Sequence, residues 1–126
     1  MSKFSGEPAY QAYRILQFVF VVAPILAGLD KFFYLMNNWS VYLSPFIMKM
    51  IAGHHRGFMA FVGVVEIVAG IGVALKPKIF SYIVALWLLV IILNLLMTGR
   101  YFDIVLRDFG LMLAAFSLGK LSKKYA

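Results

Sequence analysis

Four long apolar stretches separated by short polar ones set out this chain. The first covers residues 13–35, with Arg14 near its start, Pro24 inside and Asp30-Lys31 near its end. The second, residues 57–75, is apolar except for Glu66. The third, residues 79–97, is the most apolar and carries Trp87 inside and Asn94 late. The fourth, residues 101–118, opens with Asp103, Arg107 and Asp108 before an apolar run. Each is close to the ~20 residues a helix needs to cross hydrocarbon. The first stretch is longer than a signal-peptide core and no clear small-residue cleavage site follows it, so it reads as a retained span. Pro24 is expected to kink it. Residues 1–12 are polar and read as a short exposed segment.

Between the first two spans, residues 36–56 mix the turn formers Asn37, Asn38, Ser44, Pro45 and Gly53 with Trp39, Tyr42, Phe46, Ile47, Met48, Met50 and Ile51. Such a segment is expected to lie along the headgroup layer, a depth that suits Trp39 and Tyr42. Lys76-Pro77-Lys78 is a three-residue turn, so the third span returns antiparallel to the second. Thr98-Gly99-Arg100 closes the third span, and a basic tail with Lys120, Lys123 and Lys124 follows the fourth. The expected architecture is all-α: a polytopic membrane protein, residues 1–126 forming one domain, built as an antiparallel four-transmembrane-helix bundle with an interfacial segment between helices 1 and 2.

Composition agrees with that layout. The chain is 63% hydrophobic and 13% charged, whereas soluble domains run about 45–50% apolar and about 25% charged. Its net charge of +7 would suggest nucleic acid in a soluble protein. Here the cations sit in short loops and the tail, where they orient spans or meet anionic lipid, so the bilayer and not nucleic acid is the expected partner. Lys3, Arg14, Lys76, Lys78, Lys120, Lys123 and Lys124 fall at one end, against Lys31, Lys49, Arg56, Arg100 and Arg107 toward the other. Seven against five places both termini in the cytoplasm. The absence of cysteine excludes disulfide relays, iron–sulfur clusters and thiolate metal sites.

Candidate chemistry begins at Glu66. A carboxylate at mid-membrane costs ~2.5–3.5 kcal/mol on insertion scales, so a partner, a captured proton or water must compensate it. With a rise of 1.5 Å per residue, Glu66 lies ~13 Å down the second span, Asp30 ~25 Å and Asn94 ~22 Å along outward-running ones, and Arg107 and Asp108 ~8–9 Å below the outer start of the fourth. The polar residues Asp30, Lys31, Glu66, Asn94, Asp103, Arg107 and Asp108 therefore gather in the outer half. Gly63, Ala69 and Gly70 share the Glu66 face, which is expected to point into the bundle. Asp103 and Arg107 stand at i,i+4 in the favourable orientation. One reading is structural, an ion network of Glu66 and Asp30 around Arg107 that locks the helices in register. The other is a polar pocket that binds a small ligand head group or passes protons. Lys31 on its own is expected to snorkel to the outer interface.

His54-His55 invites a metal or haem assignment, but adjacent histidines on a helix point about 100° apart and there is no third histidine. His54 and His55 beside Arg56 read first as an interfacial group; the alternative is that the three residues form the mouth of a quinone or lipid site. No haem, metal or flavin is expected.

Three short motifs carry a family resemblance. Gly28-Leu-Asp30-Lys31-Phe at the end of the first span, Gly63-Val-Val-Glu66-Ile-Val-Ala-Gly70 in the second, and Arg107-Asp108 in the fourth resemble the DoxX-like four-helix membrane proteins. The resemblance covers nearly the whole chain. It implies a small bundle of the bacterial inner membrane and a quinone-linked or accessory role, carried onto Lys31, Glu66, Arg107 and Asp108. Family members that use thiols are no guide to a chain that has none.

The expected function is that of a non-catalytic accessory or structural subunit of a redox or respiratory membrane complex, with quinone or lipid as the candidate ligand of its polar pocket. Its partners would be other membrane subunits or further copies of itself. The alternatives are a small proton-linked transporter using Glu66 and a quinone-reducing subunit of an oxidoreductase, which would need a partner to carry its cofactor.

Overall fold

The computed structural model describes residues 6–33, 42–51 and 54–126, without the side chains of His55 and Arg56. Lys3, Asn37, Asn38, Trp39 and Gly53 lie outside the described residues. Within them the chain is all-α, as five helices: α1 (Pro8–Phe33), α2 (Pro45–Met50), α3 (His55–Leu75), α4 (Pro77–Thr98) and α5 (Phe102–Tyr125).

The helix boundaries follow from local chemistry. α1 begins at Pro8, inside the stretch expected to be exposed, because proline at a first helical position gives up no needed N–H and presets φ. It runs through Pro24 to Phe33. Pro77 does the same for α4, so the expected three-residue turn shrinks to Lys76, which caps α3 and α4 at once. Ser44-Pro45, expected as a turn, starts α2: the Ser44 hydroxyl accepts from the Ile47 N–H at 3.3 Å. Gly99 ends α4 in the left-handed region at φ 71, where a side chain would be strained. Tyr101 is also left-handed, at φ 64, and its ring meets Tyr42 edge-on at 4.8 Å.

α5 continues seven residues past the expected end at 118. The basic tail remains helical because Leu118, Gly119 and Ser122 face the interior and Lys123 and Lys124 suit the negative end of the helix dipole.

The closest helix pairings are α1 with α3 and α4 with α5, and α1–α5 and α3–α4 contacts complete the circuit. Contacts that ascend α1 descend α3: Gln17 meets Val73 and Ala74, Val21 and Ile25 meet Gly70, and Gly28 meets Gly63. The apolar core joins Tyr13 and Phe20 of α1, Ala69 and Val73 of α3, Val84 and Ala85 of α4, and Ala115 and Leu118 of α5. It occupies the half of the molecule near the start of α1.

Three helices, Pro8–Phe33, Gly57–Leu75 and Pro77–Thr98, are long and apolar enough to cross a membrane. Large apolar side chains are also broadly exposed on the outer surface, among them Phe18, Phe61, Leu75 and Leu86. Water would penalise such a surface and hydrocarbon would not. These features point to a multi-pass membrane protein.

Candidate functional site

The site grows from a glycine crossing. A Cβ on Gly28 would stand 2.6 Å from the Gly63 carbonyl oxygen, and one on Gly63 would stand 2.6 Å from the Gly28 oxygen. Only two glycines allow α1 and α3 to approach so closely. Lys31 follows Gly28 by three residues, and Glu66 follows Gly63 by three. Helical side chains slant toward the N-terminus. On two helices running in opposite directions, these two side chains therefore lean toward each other across the crossing.

They meet there. Lys31 Nζ lies 2.6 Å from Glu66 Oε1, with both side chains about one-tenth exposed. Charge proximity defines the contact, because Oε1 accepts no hydrogen bond of good angle. Lys31 thus turns inward instead of snorkelling, and Glu66 takes Lys31 as its ionic partner where Arg107 was expected. Asp30 is also buried, and it is engaged.

The other polar residues do separate work. Asn94 of α4 donates to the Tyr42 carbonyl at 2.7 Å and accepts from the Ser44 N–H at 2.9 Å. One amide thus satisfies the non-helical backbone that enters α2, which hydrocarbon would otherwise leave unpaired. Asp108 is buried and receives Arg107 through Nε and Nη2, each at 3.3 Å. The Arg107 side chain itself is 64% exposed. The expected Asp103–Arg107 pair is not made: Asp103 is exposed and forms no ion pair among the described residues. His54 is exposed and precedes α3 without capping it through its ring, while the side chains of His55 and Arg56 lie outside the described residues. Among the described residues no three His, Asp or Glu side chains gather as a metal site.

Sequence reasoning passed over two polar devices at the opposite end. Gln17 Nε2 donates to the Val73 and Ala74 carbonyls at 3.3 and 3.5 Å, while Arg14 donates to its Oε1 at 3.0 Å. This covers carbonyls at the end of α3 that lack helical partners. Tyr125 donates to Glu7 Oε2 at 2.6 Å, and its ring meets Tyr10 edge-on at 5.4 Å and Tyr13 at a tilt at 5.7 Å. The i,i+3 spacing of Tyr10 and Tyr13 was the available signal for a shared face.

A groove of about 310 Å³ opens between α4 and α5, walled by Tyr82, Leu86 and Leu89 on one side and Met112, Leu113 and Phe116 on the other. It does not involve the ion pair. Comparison of the chain with protein-family models, with curated proteins and with solved structures gave no match.

Proposed function

We propose that the protein is an accessory, non-catalytic subunit of a redox or respiratory complex in the bacterial inner membrane, with both termini cytoplasmic. It would form an antiparallel bundle of four spans. α5 supports the fourth span because it packs alongside α4, with Phe116 edge-on to Tyr82 and Gly119 against the same ring. The likeness to DoxX-like proteins rests on the motifs around Lys31, Glu66 and Arg107.

The observation that carries the reading is the closed Lys31–Glu66 pair over the Gly28–Gly63 crossing. An ion pair closed between two helices fastens them and leaves little net charge to drive chemistry. The polar half around it, with Asp30 and Asp108, is the candidate seat for a quinone or lipid head group. Purification in mild detergent tests the assignment: larger redox partners should come with the chain. Recovery of the chain alone, as one copy or two, would count against it.

One observation favours a second reading. A lysine and a glutamate paired within an apolar run are also the parts a proton-linked carrier would use. Unchanged uptake by vesicles carrying Glu66→Gln would remove that reading.

A further inference from the structure

The apolar groove between α4 and α5 carries a cation on each wall at one end. On the α4 wall Lys78 stands one turn before Tyr82, and Ala85 and Leu89 continue the same face. On the α5 wall Lys120 stands one turn after Phe116, and Leu113 continues that face. The two helices run in opposite directions, with Tyr82 edge-on to Phe116 at 5.4 Å and resting on Gly119. Both lysines therefore flank one mouth, at the end where α4 starts and α5 stops.

A lysine at the end of a span usually stretches away to water. Lys120 does the reverse: its Nζ lies 5.3 Å from the centre of the Phe116 ring, one turn back along the groove. The face of that ring attracts the ammonium and keeps it at the mouth. Side chains of α4 slant toward its N-terminus, which directs the Tyr82 hydroxyl to the same end. Two cations and a hydroxyl around the opening of an apolar slot match a phosphate that carries a hydrocarbon chain.

The length of the slot says which occupant that is. Its α4 wall runs from Tyr82 to Leu89, ~10 Å at 1.5 Å per residue. One leaflet supplies half of a ~30 Å hydrocarbon layer. A slot lined no further than Leu89 and Met112 suits a chain that ends at mid-membrane. A partner's spanning helix would need a track running the whole way across, and a free anion would have no use for apolar walls.

We propose that this groove binds one anionic phospholipid from the leaflet on the side of the termini, its phosphate between Lys78 and Lys120 and one acyl chain along Tyr82, Leu86, Leu113 and Phe116. The site lies in the half of the bundle away from the Lys31–Glu66 pair. It rests on the membrane-spanning reading above and not on the redox assignment.

Native mass spectrometry of the chain in mild detergent reads retained lipid directly. Titrated with phosphatidylglycerol and with phosphatidylcholine of the same acyl chains, the parent should hold one phosphatidylglycerol about tenfold more tightly. Lys78→Gln and Lys120→Gln should each weaken it by about fivefold. Lys76→Gln, at the same end but between α3 and α4, should leave it unchanged. Leu113→Trp fills the slot from an exposed position and should weaken retention with both lysines in place. Equal retention of the two lipids, equal loss from all three lysine exchanges, or full retention by Leu113→Trp overturns the proposal, since each describes fluid lipid or surface charge alone. Displacement of the phospholipid by millimolar inorganic phosphate also overturns it, because the anion alone would then be recognised. The contrast between the two lipids on the unaltered chain stands whether or not a variant folds. Alkaline extraction separates the proposal from its premise: a chain released from the membrane refutes the spanning reading, whereas an embedded chain without lipid preference refutes only the lipid site.

Discussion

Replacing Lys31 with methionine tests the site most directly. The substitution keeps the length and apolar stem of the side chain and deletes its charge. At the observed 2.6 Å, two unit charges attract by on the order of 6 kcal/mol at an effective dielectric constant of about 20. Taking both groups out of water costs several kcal/mol per ion, so the intact pair adds little net stability over an apolar pair of equal volume. Removing one partner is different, because Glu66 keeps its desolvation cost and loses its attraction. The expected loss is about 3–5 kcal/mol for Lys31→Met. The double change Lys31→Met with Glu66→Met should recover most of it, falling within ~1 kcal/mol of the parent. Reversible unfolding in mixed micelles, followed by circular dichroism, measures all three variants and gives the coupling energy of the pair. Additive losses, with the double variant worse than either single one, would refute the account of a self-contained pair.

Other expectations follow from neighbouring features. Gly28→Ala should lower stability by about 1–3 kcal/mol in the same unfolding assay, because its Cβ meets a backbone oxygen that cannot rotate away. Asn94→Leu leaves the Tyr42 carbonyl and the Ser44 N–H unpaired, at about 1–3 kcal/mol each; hydrogen exchange should accelerate in residues 42–51 well before it does in α4. The Glu7 hydrogen bond, followed by burial and the Glu7 charge, raises the Tyr125 phenol above its ordinary 10.0, with Lys124 opposing. Since the folded value is the higher one, this contribution is complete below pH 10.0 and fades as pH climbs through the raised value. Difference absorbance between the parent and Tyr125→Phe should show one phenol ionising later than a free tyrosine.

Hydropathy made the long helices legible, since runs of about 20 apolar residues admit few other structures. Their ends were less so. Pro8, Pro77 and the Ser44-Pro45 step were weighed as breakers, yet each sits where a helix starts and proline loses nothing. The tail was set apart because Lys120, Lys123 and Lys124 dominate its composition, although Leu118, Gly119 and Ser122 form a buried face beneath them. At the site, small residues flanking Glu66 correctly indicated an inward face. Arginine was favoured as its partner on chemical grounds. What a linear reading lacked was the crossing point: once Gly28 lies on Gly63, the backward slant of both side chains selects Lys31, while Arg107, on α5, pairs with its neighbour Asp108.

The clasp between Glu7 and Tyr125 joins the first of these helices to the last. During synthesis α5 leaves the ribosome after the other four, so this contact can form only when its final turn is free. The meeting of α1 with α3 needs nothing beyond Leu75. Assembly therefore has a built-in order, in which an early hairpin-like unit is sealed at one rim and the opposite rim shuts as the closing step. A bulky fusion placed directly after Ala126 would crowd that seal, and one separated by a flexible spacer would spare it.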